Sequence, residues 1–451
     1  MIGSAAKVTE NASLYSRLCE ARRLTDNLFQ VIRADALYER PIAERHRLIF
    51  YLGHLEAFDW NLFRHRHPEL NSPRPSFDRL FAFGIDPVDG GLPTDRPEDW
   101  PSEKEVRSYN DATRQQLDSL FQTGELETNG GFASAAESTL LHVAIEHRLM
   151  HAETLAYLFH RMPYGQKFRQ QQSPVLGSGS PTATVRVPAG TATLGLSCES
   201  QKFGWDNEFQ MHQLQVPEFS IDKFMVTNGE FLRFVLDGGY DRRLLWKDAD
   251  WEWIQSRQIR QPAFWRREGT QWLWRGMFEE IELPLDWPVY VSHAEATAYA
   301  QWAGKSLPTE AQWHRAAYGV PNEPERQYPW GNHDPIPANG NFDFSRWDPS
   351  PVDSFPGNTS AFGVAGTLGS GWEWTSSEFA PFPEFAAFPF YPGYSANFFD
   401  GRHFVLKGGS SRTASALLRR SFRNWFQPHY QYAYTGFRCV SASANQGQKP
   451  C

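Results

Sequence analysis

Three histidines offer chemistry most plainly. In "EHRLMHAETLAYL" (146–158), His147 and His151 stand four positions apart within an apolar helical pattern. On an α-helix, positions i and i+4 share one face about a turn apart, so both imidazoles can address one ion. Leu140, Leu141, Ala144, Leu155 and Leu158 make this helix apolar, and a third candidate, His54, sits mid-helix in "LIFYLGHLEAFDWN". Spacing alone is weak evidence, because two exposed or core-packed histidines among 14 also produce it by chance. A third imidazole converging from a facing helix would make a ligand set inside a bundle. Three nitrogen ligands leave open coordination positions, as a catalytic metal requires and a structural one does not. The set suits zinc with an activated water, or ferrous iron with room for substrate and dioxygen.

Such a set needs helices to carry it. Residues 14–32, 43–63, 105–121 and 134–162 recur apolar at three- and four-residue steps, which predicts a four-helix bundle with a long Pro-, Gly- and Asp-rich loop between the second and third helices. Ser102 with Glu105, and Ser134 with Glu137, have the spacing of capping boxes at two of the starts. "GQKFRQQQSPVLGSGSPTA" (165–183) is a linker by composition. Beyond it, short apolar runs such as "VRVPAGTATLGL" and "FVLKGG" alternate with turn residues, and only 292–304 and 309–319 read as helices. We therefore expect a mixed multidomain fold: a helical domain over 8–165, a linker over 166–185, an irregular α+β domain over 186–442 and a polar tail over 443–451.

The bulk numbers agree with two domains. The chain has 451 residues, more than one ordinary core accommodates. Hydrophobic residues make up 41% and charged residues 21%, a globular balance, and 17 Trp, clustered after about Trp205, predict an aromatic-packed second half. A net charge of -8 without a basic stripe argues against nucleic acid as a partner and for a small uncharged or zwitterionic ligand. Cys19, Cys198, Cys439 and Cys451 form no CxxC pair or regular framework, as expected of reduced thiols. No signal-peptide pattern and no window of 18 apolar residues is present, so we expect no membrane partner and a cytoplasmic location.

The second half also carries motifs. "IDKFMVTNGEFLRFVLDGGY", "PVYVSHAEATAYAQWAGKSLPTEAQWHRAAYG", "YPWGN", "SAFGVAGTLGSGWEWTSS", "FVLKGGSS", "RRSFRNW" and "TGFRC" together resemble the formylglycine-generating-enzyme (FGE-sulfatase) domain, a C-type-lectin-like fold. "GGSSRTASALLRRSF" lacks the paired copper-binding cysteines of formylglycine-generating enzymes, which argues against that activity. A DinB-like four-helix bundle joined to this domain is similar to the ergothioneine and ovothiol sulfoxide synthases, over nearly the whole chain. "FYLGHLEAFDWN" and "EHRLMHAETLAYL" resemble that family's two iron-ligand motifs. The resemblance implies that His54, His147 and His151 hold a non-heme ferrous iron, Fe(2+), and that hercynine, a thiol or selenol donor and O2 are the substrates. In "FPFYPGYSANFF", Tyr391 and Tyr394 match a tyrosine pair that follows the WEWT motif in the mycobacterial type. By resemblance Tyr391 gives a proton to the reacting oxygen, Tyr394 helps seat the imidazole, Asn424 binds substrate and Trp425 lines the same pocket. Aromatic faces would favour the trimethylammonium group of hercynine.

The chain departs from the mycobacterial type where that type grips γ-glutamylcysteine. In "RNWFQPHYQYAY", Phe426 stands in place of an acidic residue, and "FGIDPVDGGLP" lacks the arginines expected near Val88. Without those charge-assisted partners a carboxylate-rich donor loses the contacts that fix it. A neutral sugar-linked selenol, the donor of the selenoneine synthases, suits an aromatic pocket containing Phe426 better, with free cysteine as the alternative. Met150 replaces a Gln beside the last ligand, a change at the imidazole-binding edge. An ovothiol-type synthase acting on histidine, a zinc-dependent thiol transferase of the DinB type and a non-catalytic binding module on the lectin-like fold are the further alternatives.

Overall fold

The computed structural model describes residues 2–82, 92–122, 137–170, 172–175, 177, 182–200 and 202–442. The chain forms two compact units, residues 1–170 and 171–451.

In the first unit, α1 (Ile2–Phe29), α2 (Leu48–Arg64), α3 (Pro75–Leu80), α4 (Glu103–Gln122) and α5 (Glu137–Arg161) follow in order. Helix α1 packs on α5, and α2 packs on both α4 and α5. The four long helices close around Leu18, Phe50, Trp60, Leu141, Leu155 and Phe159, all fully buried. Ser102 caps α4 as its spacing predicts: its backbone N–H donates to Glu105 at 3.0 Å, and the Glu105 N–H donates back to Ser102 Oγ at 3.4 Å. The matching serine at 134 lies outside the described residues. Helix α5 is buried on all sides from Val143 to Leu149 and from His151 to His160, the pattern of a central helix.

Two local expectations need correction. Apolar periodicity suggested a second helix from 43, but α2 starts at Leu48. Residues before it fold as turns, with the Leu48 N–H bonded to the Glu39 carbonyl at 3.1 Å and Arg47 extended at φ -66, ψ 154. Within the stretch read as a long loop, α3 forms, with Pro75 in its first turn where a missing N–H costs nothing. Six residues are too few for periodicity to register.

The second unit contains β1 (Thr184–Val187), β2 (Gly190–Leu194), β3 (His212–Val216), β4 (Phe219–Asp222), α6 (Asn228–Leu236), α7 (Asp248–Ser256), β5 (Trp265–Glu268), β6 (Gln271–Arg275), β7 (Glu280–Glu282), α8 (His293–Trp302), α9 (Glu310–Tyr318), β8 (Gly371–Glu378), β9 (Phe404–Gly409), β10 (Asn424–Phe426), β11 (Thr435–Gly436) and β12 (Val440–Ala442). Strands pair as β1-β4-β12, β2-β3, β5-β6-β7 and β10-β9-β8-β11. All of these ladders are antiparallel except β11 on β8. The predicted helices at 292–304 and 309–319 are α8 and α9. Helices α6 and α7 were not expected. A signal for α6 was present, since Thr227 and Glu230 make a capping box in "TNGE".

The tryptophan-rich composition of this half becomes its core. Trp205, Trp274, Trp287, Trp313 and Trp374 are fully buried. Among them runs an ion pair: Arg438 reaches both carboxylate oxygens of Glu373 at 2.6 and 2.7 Å, with neither side chain exposed, and Trp313 Nε1 donates to the same carboxylate at 2.9 Å. Arg438 thereby ties the end of the chain to β8.

Candidate metal centre and the aromatic cluster of the second unit

His54 projects from α2, and His147 and His151 project from α5. One ring nitrogen from each lies within 4.8 Å of the other two. Among the described residues this is the group of His, Cys, Asp and Glu side chains that can hold a metal ion. All three are buried, which removes the solvent-exposed alternative for the HxxxH pair. The two Nε2 atoms of His147 and His151 stand 3.1 Å apart. Two neutral imidazoles share such a distance as an N–H···N bond. Equally, the two nitrogens are near enough that both could hold one ion at the ~2.1 Å typical of imidazole nitrogen. The donor set therefore fits a metal.

Electrostatics keeps the three imidazoles neutral. Burial pushes His54 down to about 4, although the Phe81 carbonyl opposes this. Burial and the neighbouring imidazoles and guanidinium groups push His147 and His151 well below the usual histidine range. Each neutral ring thus keeps one nitrogen lone pair for an ion.

The tautomer of His54 is set by α3. Phe81, at the C-terminal end of that helix, brings its carbonyl to 2.6 Å from His54 Nδ1, so Nδ1–H donates and Nε2 is left for a ligand bond. Gly53 permits the approach: a Cβ there would meet the Phe81 ring at 2.6 Å. In turn Asp78 anchors α3, accepting from Tyr109 Oη at 2.9 Å while its backbone carbonyl accepts from Asn61 at 3.0 Å. Aromatic rings wall the site. Phe58 stacks on His147 at 3.4 Å and 10°, and Phe50 on His54 at 4.8 Å and 19°.

Behind the histidines a buried ion network fixes α5 against α2. Arg148, next to His147, donates to Glu56 at 3.0 Å, to Asp59 at 2.7 Å and to the Leu55 carbonyl at 2.9 Å. Arg114 of α4 joins at Glu56 Oε1, 2.6 Å away, and also grips Asp26 with two 2.8 Å bonds. Burial raises the Glu56 carboxyl, but Arg148, Arg114 and Arg22 outweigh it and hold it at about 2. None of Gly53, Phe81, Glu56, Asp59 or Arg148 was singled out from sequence, although "EAFDWN" and "EHRLMH" hold Glu56, Asp59 and Arg148 in plain view. Met150, half-buried, precedes His151 on α5, and its carbonyl accepts from Thr154 Oγ1 at 3.2 Å.

In the second unit the expected substrate residues form an aromatic cluster. Tyr391 is half-buried and Tyr394 buried, with ring centroids 5.6 Å apart. Tyr394 stacks on Trp205 at 3.9 Å and meets Trp425 edge-on at 5.5 Å. Trp425 lies flat on Phe379 at 4.1 Å. Asn424 begins β10, and its Oδ1 accepts from the Trp425 N–H at 2.8 Å. Phe426 ends β10 and stacks face to face on Tyr430 at 4.7 Å and 4°, with Tyr432 edge-on to Tyr430 at 5.5 Å. Trp205, Tyr430 and Tyr432 are additions to the expected set.

Comparison with known proteins agrees with this two-part architecture. Residues 171–443 match the sulfatase-modifying factor enzyme 1-like domain, and residues 17–155 match the DinB superfamily. Hercynine oxygenase of Mycolicibacterium thermoresistibile is 35% identical over 331 residues, covering 70% of this chain and 71% of that protein. Ergothioneine biosynthesis protein 1 of Neurospora crassa is 28% identical over 91% of this chain, which spans about half of that longer protein, 55%. Formylglycine-generating enzyme of Bos taurus is 30% identical over 44% of this chain and 58% of its own length. No helix among the described residues is long and apolar enough to cross a membrane. With a DinB-type bundle ahead of a sulfatase-modifying factor enzyme 1-like domain, the chain belongs to the family that includes the hercynine oxygenases.

Proposed function

We propose that the chain is a cytoplasmic, O2-dependent non-heme Fe(II) enzyme that joins a chalcogen donor to the imidazole carbon of hercynine. The observation that carries this is the convergence of His54, His147 and His151 in the bundle of a chain related to hercynine oxygenases. Fe(II), held by three imidazole nitrogens, would supply dioxygen activation and gather the two substrates at open positions. The geometry within each unit supports the following parts for the protein's own residues. Phe50 and Phe58 shield the imidazoles from water, and the Arg148 network holds the two ligand-bearing helices in register. Tyr391 delivers the proton, while Tyr394, Asn424 and Trp425 seat the imidazole and its trimethylammonium group against aromatic faces. Met150 lines the imidazole edge beside His151.

The donor we favour is a sugar-linked selenol, which would make the product selenoneine. The stacked Phe426–Tyr430 pair supports this, because the position that by resemblance carries an acidic grip on γ-glutamylcysteine here carries an apolar ring packed on a second one. Cysteine is the second donor. An ovothiol-type reaction on histidine, and a zinc-dependent thiol transfer, are further alternatives that the same three histidines would serve.

The test is an aerobic assay with Fe(II) and hercynine, offering cysteine and 1-seleno-β-D-glucose in parallel and reading products by mass spectrometry. A selenium adduct supports the favoured donor, and a cysteine sulfoxide adduct supports the second. Turnover of histidine but not hercynine, or turnover with zinc and no O2, would overturn the reading.

A further inference from the structure

The loop that bears Tyr391 and Tyr394 has no sheet ladder or α-helix to hold it. Its backbone turns include Tyr391 N–H to the Phe388 carbonyl at 3.0 Å and Tyr394 N–H to the Tyr391 carbonyl at 3.2 Å. A hydroxyl that transfers a proton must be held within about 0.5 Å of its working place, by neighbours that are themselves locked. Those neighbours come from the distant turn 205–208. Trp205, fully buried, stacks on Tyr394 at 3.9 Å and meets Phe388 and Tyr391 at 6.5 Å each. Asp206 is 1% exposed and accepts the hydroxyl of Ser395, itself fully buried and the residue after Tyr394.

The turn is anchored in its own right. Glu208 accepts from the Trp205 N–H at 2.9 Å, from Ser421 Oγ at 2.7 Å and from Arg419 Nε at 2.8 Å. A carboxylate is costly to bury, and a residue serving only to fill space here would be apolar. The return on that cost is a charge-assisted bond, about twice as strong as a neutral one, to the loop beside the tyrosines.

We propose that Asp206 is a positioning residue for Tyr391 and Tyr394, holding their loop through Ser395 while Trp205 holds it through Tyr394. The catalytic consequence rests on Tyr391 being the proton donor, as read above; the structural consequence does not. The experiment uses the full chain with 3-fluorotyrosine placed at position 391 alone, in wild type and in Asp206→Ala, Asp206→Asn and Ser395→Ala. Fluorine NMR reads the loop directly, and kcat, KM for hercynine and iron content are measured alongside.

We expect one narrow line in wild type and a broadened or split line in Asp206→Ala and Ser395→Ala. The turnover rate kcat should fall by up to about 10²-fold, the scale of a misplacement of about 1 Å, with KM and iron content little changed. Asp206→Asn, which keeps an acceptor, should recover most of both signals. An unchanged narrow line in Asp206→Ala overturns the proposal whatever the chain catalyses. So does a loss that Asp206→Asn fails to relieve and that appears equally as a fall in Tm, which would make Asp206 a packing residue. A disturbed line with unchanged kcat keeps the clamp and removes Tyr391 as proton donor. If Asp206→Ala does not fold, Ser395→Ala breaks the same bond from its other end and decides the question.

Discussion

In the first unit, the three histidines ride on two long helices, α2 and α5, and those same helices carry Glu56, Asp59 and Arg148 of the ion network beside them. In the second, Tyr391 and Tyr394 ride on a loop whose supports, Trp205, Asp206 and Trp425, come from 189 residues upstream for the Asp206–Ser395 pair and from a separate strand for Trp425. The difference is one of where stiffness originates. A helix supplies it locally, through its own hydrogen bonds and an i, i+4 register. A loop has to borrow it from buried side chains brought together only by the tertiary fold.

The sharpest way to break the first arrangement is to remove Arg148. Its guanidinium is almost wholly buried between Glu56 and Asp59, so deleting it leaves Glu56 to Arg114 and buried Asp59 with Arg22 at 4.0 Å in place of its 2.7 Å partner. Arg148→Ala should cost about 3–5 kcal/mol of stability, the usual consequence of breaking a buried pair from one side. Thermal or urea unfolding of the full chain checks this. A change under 1 kcal/mol would mean that α2 and α5 are held by apolar packing alone.

A subtler change touches the tautomer of His54. In Gly53→Ala the new methyl would lie 2.6 Å from the Phe81 ring, pushing away the carbonyl that accepts from His54 Nδ1. Metal affinity should weaken roughly 10- to 100-fold, as when an outer hydrogen-bond partner of a ligand is lost. Competition against a chelator reads the shift. Unaltered affinity would show that the His54–Phe81 bond is incidental.

Taken per pH unit, the smallest effect is expected from acidification, in the second unit. Burial and the nearby Lys247 ammonium push His293 down to about 3, whereas an unfolded chain would protonate it near 6.5. Because the folded value is the lower one, the unfolded state takes up the proton first on acidification. Stability is therefore full above about 6.5 and declines as pH falls toward about 3, by about 1.4 kcal/mol per pH unit from this group. His293→Phe, which preserves the stacked ring on Phe404, should flatten that slope. An unchanged slope would assign the acid sensitivity to other groups.

The same contrast explains what the sequence made legible. His54, His147 and His151 could be read as candidates because the helical period sets His147 and His151 on one face of α5 and His54 lies midway along the apolar α2. The DinB-like bundle and the sulfatase-modifying factor enzyme 1-like domain were recognisable because each of their motifs is a contiguous stretch of sequence. Gly53 and Phe81 could not be read as partners, since α3 is a single short helix that places them together only across 28 positions of chain. Asp206 gave no signal for a similar reason: its bond to Ser395 exists only after the aromatic core has formed. Helix α6 was missed although its capping box was visible, because nine residues between turns carry too little periodicity.

The most direct test of the central claim is the metal content of the full chain purified without chelators and reconstituted anaerobically with Fe(II), beside His54→Ala, His147→Ala and His151→Ala. One tightly held iron per chain in wild type, lost in each of the three variants while the fold persists by circular dichroism, is the predicted result. Full iron occupancy in any one variant would remove that histidine from the centre, and a wild type that holds zinc but rejects iron would contradict the account.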